Sequence, residues 1–261
     1  MSSLQIPSID LYTYALSPYG MKVYWTLIYK NLPFKLHYVH PISQKEIKFT
    51  KQKVVPVLKI DDEWKLDSTL ICLWLDEQNP SLGFLGYEES QRKDVLAADQ
   101  WITDTIIPLA FRSAIDNGGD GLAYRNGRKL FAAVAQTSGG VPSLLQYFWP
   151  IVTRQVKYVT REVAKLDAYK SIEAVRKDIE ENFISRLNKT GFIAGTKTLS
   201  YADIVAFSQI TMATALGMEG QLNTATPEIL QWHRRMVDAL PDNPKPALIP
   251  GWNPYAEVNN I

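Results

Sequence analysis

The periodicity of the chain changes once, between Leu82 and Ser90. Before that point short strand-like runs alternate with helix-like runs, and after it only helical periodicity is left. A switch of this kind predicts two domains: a small α/β unit over residues 8–82 and an all-α unit over residues 90–240. In the first unit, Ile9 to Tyr14 reads as a strand, Pro18 to Lys30 as a helix opened by its proline, and Phe34 to His40 as a second strand. A loop with a short helical turn runs through Lys51. Val57 to Ile60 and Trp64 to Leu66 then flank Asp61-Asp62 as a hairpin, and Ser68 to Glu77 reads as a second helix. Asn79-Pro80-Ser81-Leu82-Gly83 supplies the breakers that end the unit.

In the helical half, Leu96, Trp101, Ile102, Ile106 and Leu109 mark the buried face of a long helix. Ser143 to Ala168, Ser171 to Lys189 and Thr226 to Leu240 read as further helices, separated in part by Gly-rich interruptions at 117–121 and 138–141. Residues 241–261 contain five prolines and read as an extended tail with Trp252 as its anchor. The aromatic group Tyr147-Phe148-Trp149 reads as a buried cluster, the other reading being a roof over an apolar cleft.

Charge and cysteine content exclude several classes. With 28 basic and 27 acidic residues the formal charge is +1, so no global field exists to hold nucleic acid or an anionic membrane. A single cysteine, Cys72, excludes an intramolecular disulfide and a multi-thiolate zinc site, and its place in an apolar helix reads as a buried, inert thiol. The amino terminus MSSLQIPSIDLYTY shows neither secretory nor transit character, and Leu144 to Val152 falls short of the roughly 20 apolar residues that span a bilayer. A cytoplasmic protein without membrane insertion is expected. His37, His40 and His233 lack metal-ligand spacing and no Gly-rich phosphate loop occurs, so neither a metal nor a nucleotide is expected.

Three segments carry the chemistry. In Ser17-Pro18-Tyr19-Gly20 a hydroxyl stands directly before the proline that opens the first helix. There Ser17 is either a plain cap or part of a helix start that favours an anion such as a thiolate. Tyr12, Tyr14 and Tyr19 are alternative hydroxyl donors near the same loop, and the segment contains no sulfur for dithiol chemistry. In Lys53-Val54-Val55-Pro56-Val57 a proline interrupts a good strand. Either the Val55-Pro56 bond is cis and the Val55 backbone is offered to an extended peptide, or the proline marks a sheet edge. In Leu66-Asp67-Ser68-Thr69, Ser68 is expected to cap the second helix while Asp67 presents a carboxylate, a pairing suited to an amino-acid head group or simply to capping.

Taken together and in this order, the three segments resemble the glutathione-binding domain of the glutathione transferase superfamily. Phe192-Ile193-Ala194-Gly195 with Leu199-Ser200-Tyr201-Ala202-Asp203-Ile204 is similar to the capping box in the core helix of that superfamily's second domain. The resemblance implies a thioredoxin-like α/β domain followed by an all-α helical bundle, with glutathione as co-substrate and a homodimer as the assembly. It implies that Ser17 stands where serine-type members activate the glutathione thiol, that Val55 and Pro56 hold its cysteinyl backbone, and that Asp67 and Ser68 take the place of the usual Glu-Ser pair. Lys53 would meet the glycine carboxylate. Asp67 departs from the pattern by one methylene. A second substrate, a small electrophile or a peroxide, would lie between the domains against Tyr14, Trp101, Thr105, Pro108, Phe111 and Arg112. The alternative is a member of the same fold that binds or scaffolds without turnover.

Overall fold

The computed structural model describes residues 8–15, 17–115, 128, 131–137, 142–148, 151, 154–216 and 218–241. Both Gly-rich interruptions, Trp149 and the tail beyond Pro241 with Trp252 lie outside the described residues. Strands β1 (Ile9–Thr13), β2 (Lys35–Tyr38), β3 (Val57–Ile60) and β4 (Glu63–Leu66) form one sheet in the order β2-β1-β3-β4. β2 runs parallel to β1, while β3 is antiparallel to both β1 and β4. The parallel pair needs a crossover, which α1 (Pro18–Tyr29) supplies, and α2 (Ser68–Gln78) follows the β3-β4 hairpin. β1 alternates as its sequence requires: Ile9, Leu11 and Thr13 are buried, and Asp10 and Tyr12 look out from the other face.

β1 ends one residue earlier than its apolar pattern, because the Tyr14 carbonyl turns to accept the Ser17 N–H at 3.2 Å. The first turn of α1 then lies directly on the end of β1. A Cβ on Gly20 would come within 1.9 Å of Thr13 Oγ1, so only glycine permits this approach.

The helical domain comprises α3 (Glu89–Ile115), a helical stretch at 131–137, α4 (Lys157–Ala164), α5 (Ile172–Thr190), α6 (Tyr201–Leu216), α7 (Glu219–Leu222) and α8 (Pro227–Asp238). The continuous helix expected over Ser143 to Ala168 is not formed. A 3-10 turn at Ser143–Tyr147 follows Pro142, Val156 is extended (φ −75°, ψ 109°), and α4 begins only at Lys157. The prolines at 142 and 150 carry no N–H for a helical ladder. On α5 the apolar residues spaced three or four apart form one stripe: Val175, Ile179, Phe183 and Leu187 are buried, and Ile172 at its start is half-buried.

Every described side chain from Tyr201 to Ala213 is buried, which makes α6 the central helix, packed against both α1 and α3. Its start is fixed by the buried Asp203. Oδ1 accepts the Ile193 N–H at 2.9 Å and Trp232 Nε1–H at 3.0 Å, and Oδ2 accepts the Ser200 N–H at 3.0 Å. The carboxylate returns its bond to Ser200 as a capping box demands. The Ser200 hydroxyl, however, donates to Asp203 Oδ2 at 2.7 Å rather than serving as the cap oxygen.

His233 of α8 is buried with its ring stacked on Phe207 at 4.8 Å, and burial lowers its pKa to about 4. The unfolded chain takes up this proton below about pH 6.5 and the native one only near pH 4, so stability falls as pH drops through that interval. The loss amounts to about 3 kcal/mol. Urea midpoints between pH 7 and pH 4 should show this slope in the wild type and lack it in His233→Gln.

Candidate functional site

Two helix N-termini and one interdomain cluster build the site. Ser17 has the extended backbone of an N-cap (φ −63°, ψ 121°), and its Oγ accepts the Gly20 N–H at 3.3 Å. An accepting hydroxyl keeps its own proton to donate. From the helical domain, Gln209 Nε2 donates to the Pro18 carbonyl at 3.0 Å, so α6 helps to hold the first turn of α1 in place.

The neighbouring tyrosines are engaged in other ways. Tyr12 stacks on His37 at 4.5 Å on the sheet face. The Tyr14 hydroxyl accepts Gln44 Nε2–H at 2.6 Å, and burial raises its pKa, offset by that hydrogen bond. Tyr19 donates to Glu162 Oε2 at 2.7 Å, and burial drives its pKa far upward, with the nearby Tyr158 and Glu162 adding to the shift.

The Val55-Pro56 bond is cis. Among the described residues none hydrogen-bonds the Val55 N–H or C=O. The Lys53 carbonyl accepts a second bond from Gln44 Nε2 at 3.2 Å, which ties this loop to Tyr14, and the Lys53 side chain is exposed.

At α2 the cap is Asp67, not Ser68. Asp67 Oδ1 accepts the N–H groups of Thr69 at 2.9 Å and Leu70 at 3.1 Å, while Ser68 is the first helical residue and is buried. The cap oxygen must reach the second and third helical N–H groups, and only the residue before the helix can do so. Asp67 adopts φ 70°, ψ 118°, a conformation that costs a non-glycine residue on the order of 1–3 kcal/mol and occurs preferentially at ligand clamps. Its Oδ2 takes none of the capping bonds.

A buried ion pair lies against this helix start. Lys22 of α1 is fully buried, with Nζ 2.5 Å from Asp99 Oδ1 of α3, an ionic contact outside hydrogen-bonding angles. The ammonium donates to the hydroxyls of Thr69 at 3.1 Å and Thr103 at 3.3 Å, and the Thr69 hydroxyl donates to Asp99 Oδ2 at 2.7 Å. α1, α2 and α3 are thereby joined beside Asp67. Cys72, also buried, lies 3.3 Å from the Thr26 hydroxyl, and burial pushes its thiol up to about 11.

On the helical side, Glu162 of α4 is buried and shared between Tyr19 and Lys165 Nζ at 2.7 Å, and Lys165 also reaches Asp104 at 3.0 Å. Tyr158 presents its ring edge-on to both Tyr19 (6.1 Å) and Phe111 (6.3 Å). Burial pushes its hydroxyl up to about 12, an effect reduced by the Tyr19 hydroxyl and reinforced by the Glu162 and Asp67 carboxylates. Of the residues expected against a second substrate, Phe111 is therefore linked to Tyr19 of α1 through Tyr158. Arg112 and Tyr14 are half-buried. Thr105 and Pro108 are buried within α3, and Trp101 packs edge-on to Phe183 at 6.3 Å beneath Arg186. Sequence reasoning missed Tyr158 and Glu162. Their signal is the spacing of Tyr158 and Glu162, four apart on one face of α4, with Lys165 three residues further on just past its end.

Residues 11–83 match the family profile described as the glutathione S-transferase N-terminal domain. Over these residues the chain is similar to the first domain of glutathione S-transferases. A likeness of fold to solved glutathione transferases covers more of the chain than this domain. Human glutathione S-transferase T1-1 in its apo form is 20% identical over 90% of this chain and 85% of its own, with a TM-score of 0.59. Poplar glutathione transferase F1 is 15% identical over 97% of both chains, with a TM-score of 0.58. Human glutathione transferase theta-2, in complex with glutathione and an unknown ligand, is 17% identical over 90% of this chain and 83% of its own, with a TM-score of 0.57.

Proposed function

We propose that the chain is a member of the glutathione transferase superfamily and an active transferase in which Ser17 favours the glutathione thiolate. The supporting observation is the Ser17 hydroxyl at the α1 N-terminus, which accepts from Gly20 and retains its proton. A free thiol of pKa about 8.5 is mostly protonated at pH 7, so a hydrogen-bond donor and a helix N-terminus do useful work by favouring the anion. The thiol proton leaves to solvent. The sulfur lone pair then forms the new bond to an electrophilic carbon, and the leaving group departs with its electron pair.

Binding follows from the same geometry. The unbonded N–H and C=O of Val55, before cis-Pro56, suit the cysteinyl backbone. Asp67 Oδ2 suits the γ-glutamyl ammonium, Ser68 and the α2 N-terminus suit the accompanying carboxylate, and Lys53 suits the glycine carboxylate. The second substrate would meet Tyr14, Phe111, Arg112 and Tyr158, with Trp101, Thr105 and Pro108 backing the wall from within α3.

Calorimetric titration of glutathione tests this reading. The wild type should bind at or below millimolar concentration, and Asp67→Ala should weaken binding by about tenfold through loss of a charge-assisted bond. Absence of binding at millimolar glutathione would overturn the assignment and favour a member of the fold that works without turnover.

A further inference from the structure

Between Gly121 and Arg161 the sequence has six basic residues and no acidic one, in a chain whose total charge is only +1. The described part of this stretch also leaves large apolar side chains in solvent: Leu144 is 65% exposed, Phe148 52% and Ile151 57%, with Tyr147 and Val156 exposed as well. The burial expected of Tyr147 and Phe148 is thus not found. Consecutive exposed aliphatic and aromatic groups are uncommon on a soluble surface and mark an interaction site.

Its chemistry selects the partner. Lys157 is exposed, and the Arg161 side chain is 74% exposed, lying over the Tyr158 ring at 5.6 Å. Lysine is depleted from the cores of protein interfaces, whereas aliphatic anchors, tyrosine and flanking Lys/Arg together are what an anionic membrane surface takes up. Among the described residues no helix is long and apolar enough to cross a membrane, so the contact would be interfacial.

We propose that the described residues of 142–161 dock the protein onto an anionic phospholipid surface. The apolar side chains enter the headgroup region, and Lys157 and Arg161 meet the lipid phosphates. The docking face adjoins the first turn of α1, because Tyr158 continues from it to Tyr19. An apolar electrophile dissolved in the bilayer would therefore arrive beside Ser17. The docking itself does not depend on the glutathione reading.

Vesicle flotation without glutathione tests it, comparing phosphatidylcholine alone with phosphatidylcholine plus phosphatidylserine. The wild type should float with the mixed vesicles, far less with phosphatidylcholine alone, and less as salt is raised. Phe148→Asp/Ile151→Asp should abolish flotation while circular dichroism stays native, and Lys157→Gln and Arg161→Gln should each weaken it about five-fold. No flotation of the wild type, or undiminished flotation of the double variant, overturns the proposal. So does a double variant that converts a wild-type dimer to monomer in sedimentation when neither protein binds vesicles, since the face would then cover a second copy.

Discussion

Ser17→Ala should raise the pKa of glutathione's thiol in the bound state by about one to two units, the equivalent of one hydrogen bond to a charged group. At pH values below both pKa values the thiolate fraction then falls roughly 10- to 100-fold. Conjugation falls by less, because a more basic thiolate is a better nucleophile, with a Brønsted slope of about 0.4–0.5. The expected loss of kcat/KM toward an activated aryl halide is therefore about 3- to 15-fold at pH values below both pKa values. It should vanish at alkaline pH, where the thiol is ionised in both proteins.

The capping bond from Gly20 to Ser17 complicates any single substitution, since removing it destabilises α1 by about 1 kcal/mol. Ser17→Asp separates the two roles. Aspartate is as good a cap as serine, but its carboxylate repels a thiolate. If Ser17 only caps the helix, Ser17→Asp retains wild-type activity. If it stabilises the thiolate, Ser17→Asp is slower than Ser17→Ala although its stability is restored. The pH dependence of the bound thiolate absorbance, read beside the urea midpoint, decides between them.

What could be read from the sequence was local. The order of strands and helices in the first domain follows from apolar alternation and from breakers such as Asn79-Pro80, and the observed sheet agrees with it. Ser17 before Pro18 announces a helix start in the same way. At Asp67 local reasoning was one residue out, because Asp and Ser are both good caps and only the positive φ of Asp67 decides which one precedes the helix.

The parts that escaped depend on distant partners. Tyr19 and Glu162 are 143 residues apart, and Lys22 and Thr69 are 47 apart. Lys22 lies in a helix whose other residues are largely apolar, and nothing local distinguishes it from a solvent-facing lysine. Tyr147 and Phe148 read as core from sequence because large aromatic groups are more often buried than exposed. The 3-10 turn at Ser143–Tyr147 and the extended Val156 interrupt the expected continuous helix and with it the face that would have buried them.

Lys22→Met should destabilise the protein by about 3–5 kcal/mol, a large fraction of the stability of an ordinary domain. The ammonium is fully buried, so its removal strands the Asp99 carboxylate in a low-dielectric interior with, among the described residues, only the Thr69 hydroxyl as donor. The damage arises mainly from the unpaired charge, not from lost attraction, because bringing both ions out of water already offsets much of what they gain together. Lys22→Met/Asp99→Leu should accordingly recover most of the loss, leaving a residue of about 1–2 kcal/mol for the hydroxyls of Thr69 and Thr103 that lose their partners. Urea unfolding of the two variants measures this difference, and a double variant no more stable than the single one would show that the pair contributes directly. Glutathione affinity in the recovered double variant then reports on position alone. Thr69 donates its N–H to Asp67 and its hydroxyl to Asp99, so if the ion pair fixes the α2 N-terminus, the double variant binds glutathione more weakly at near-native stability.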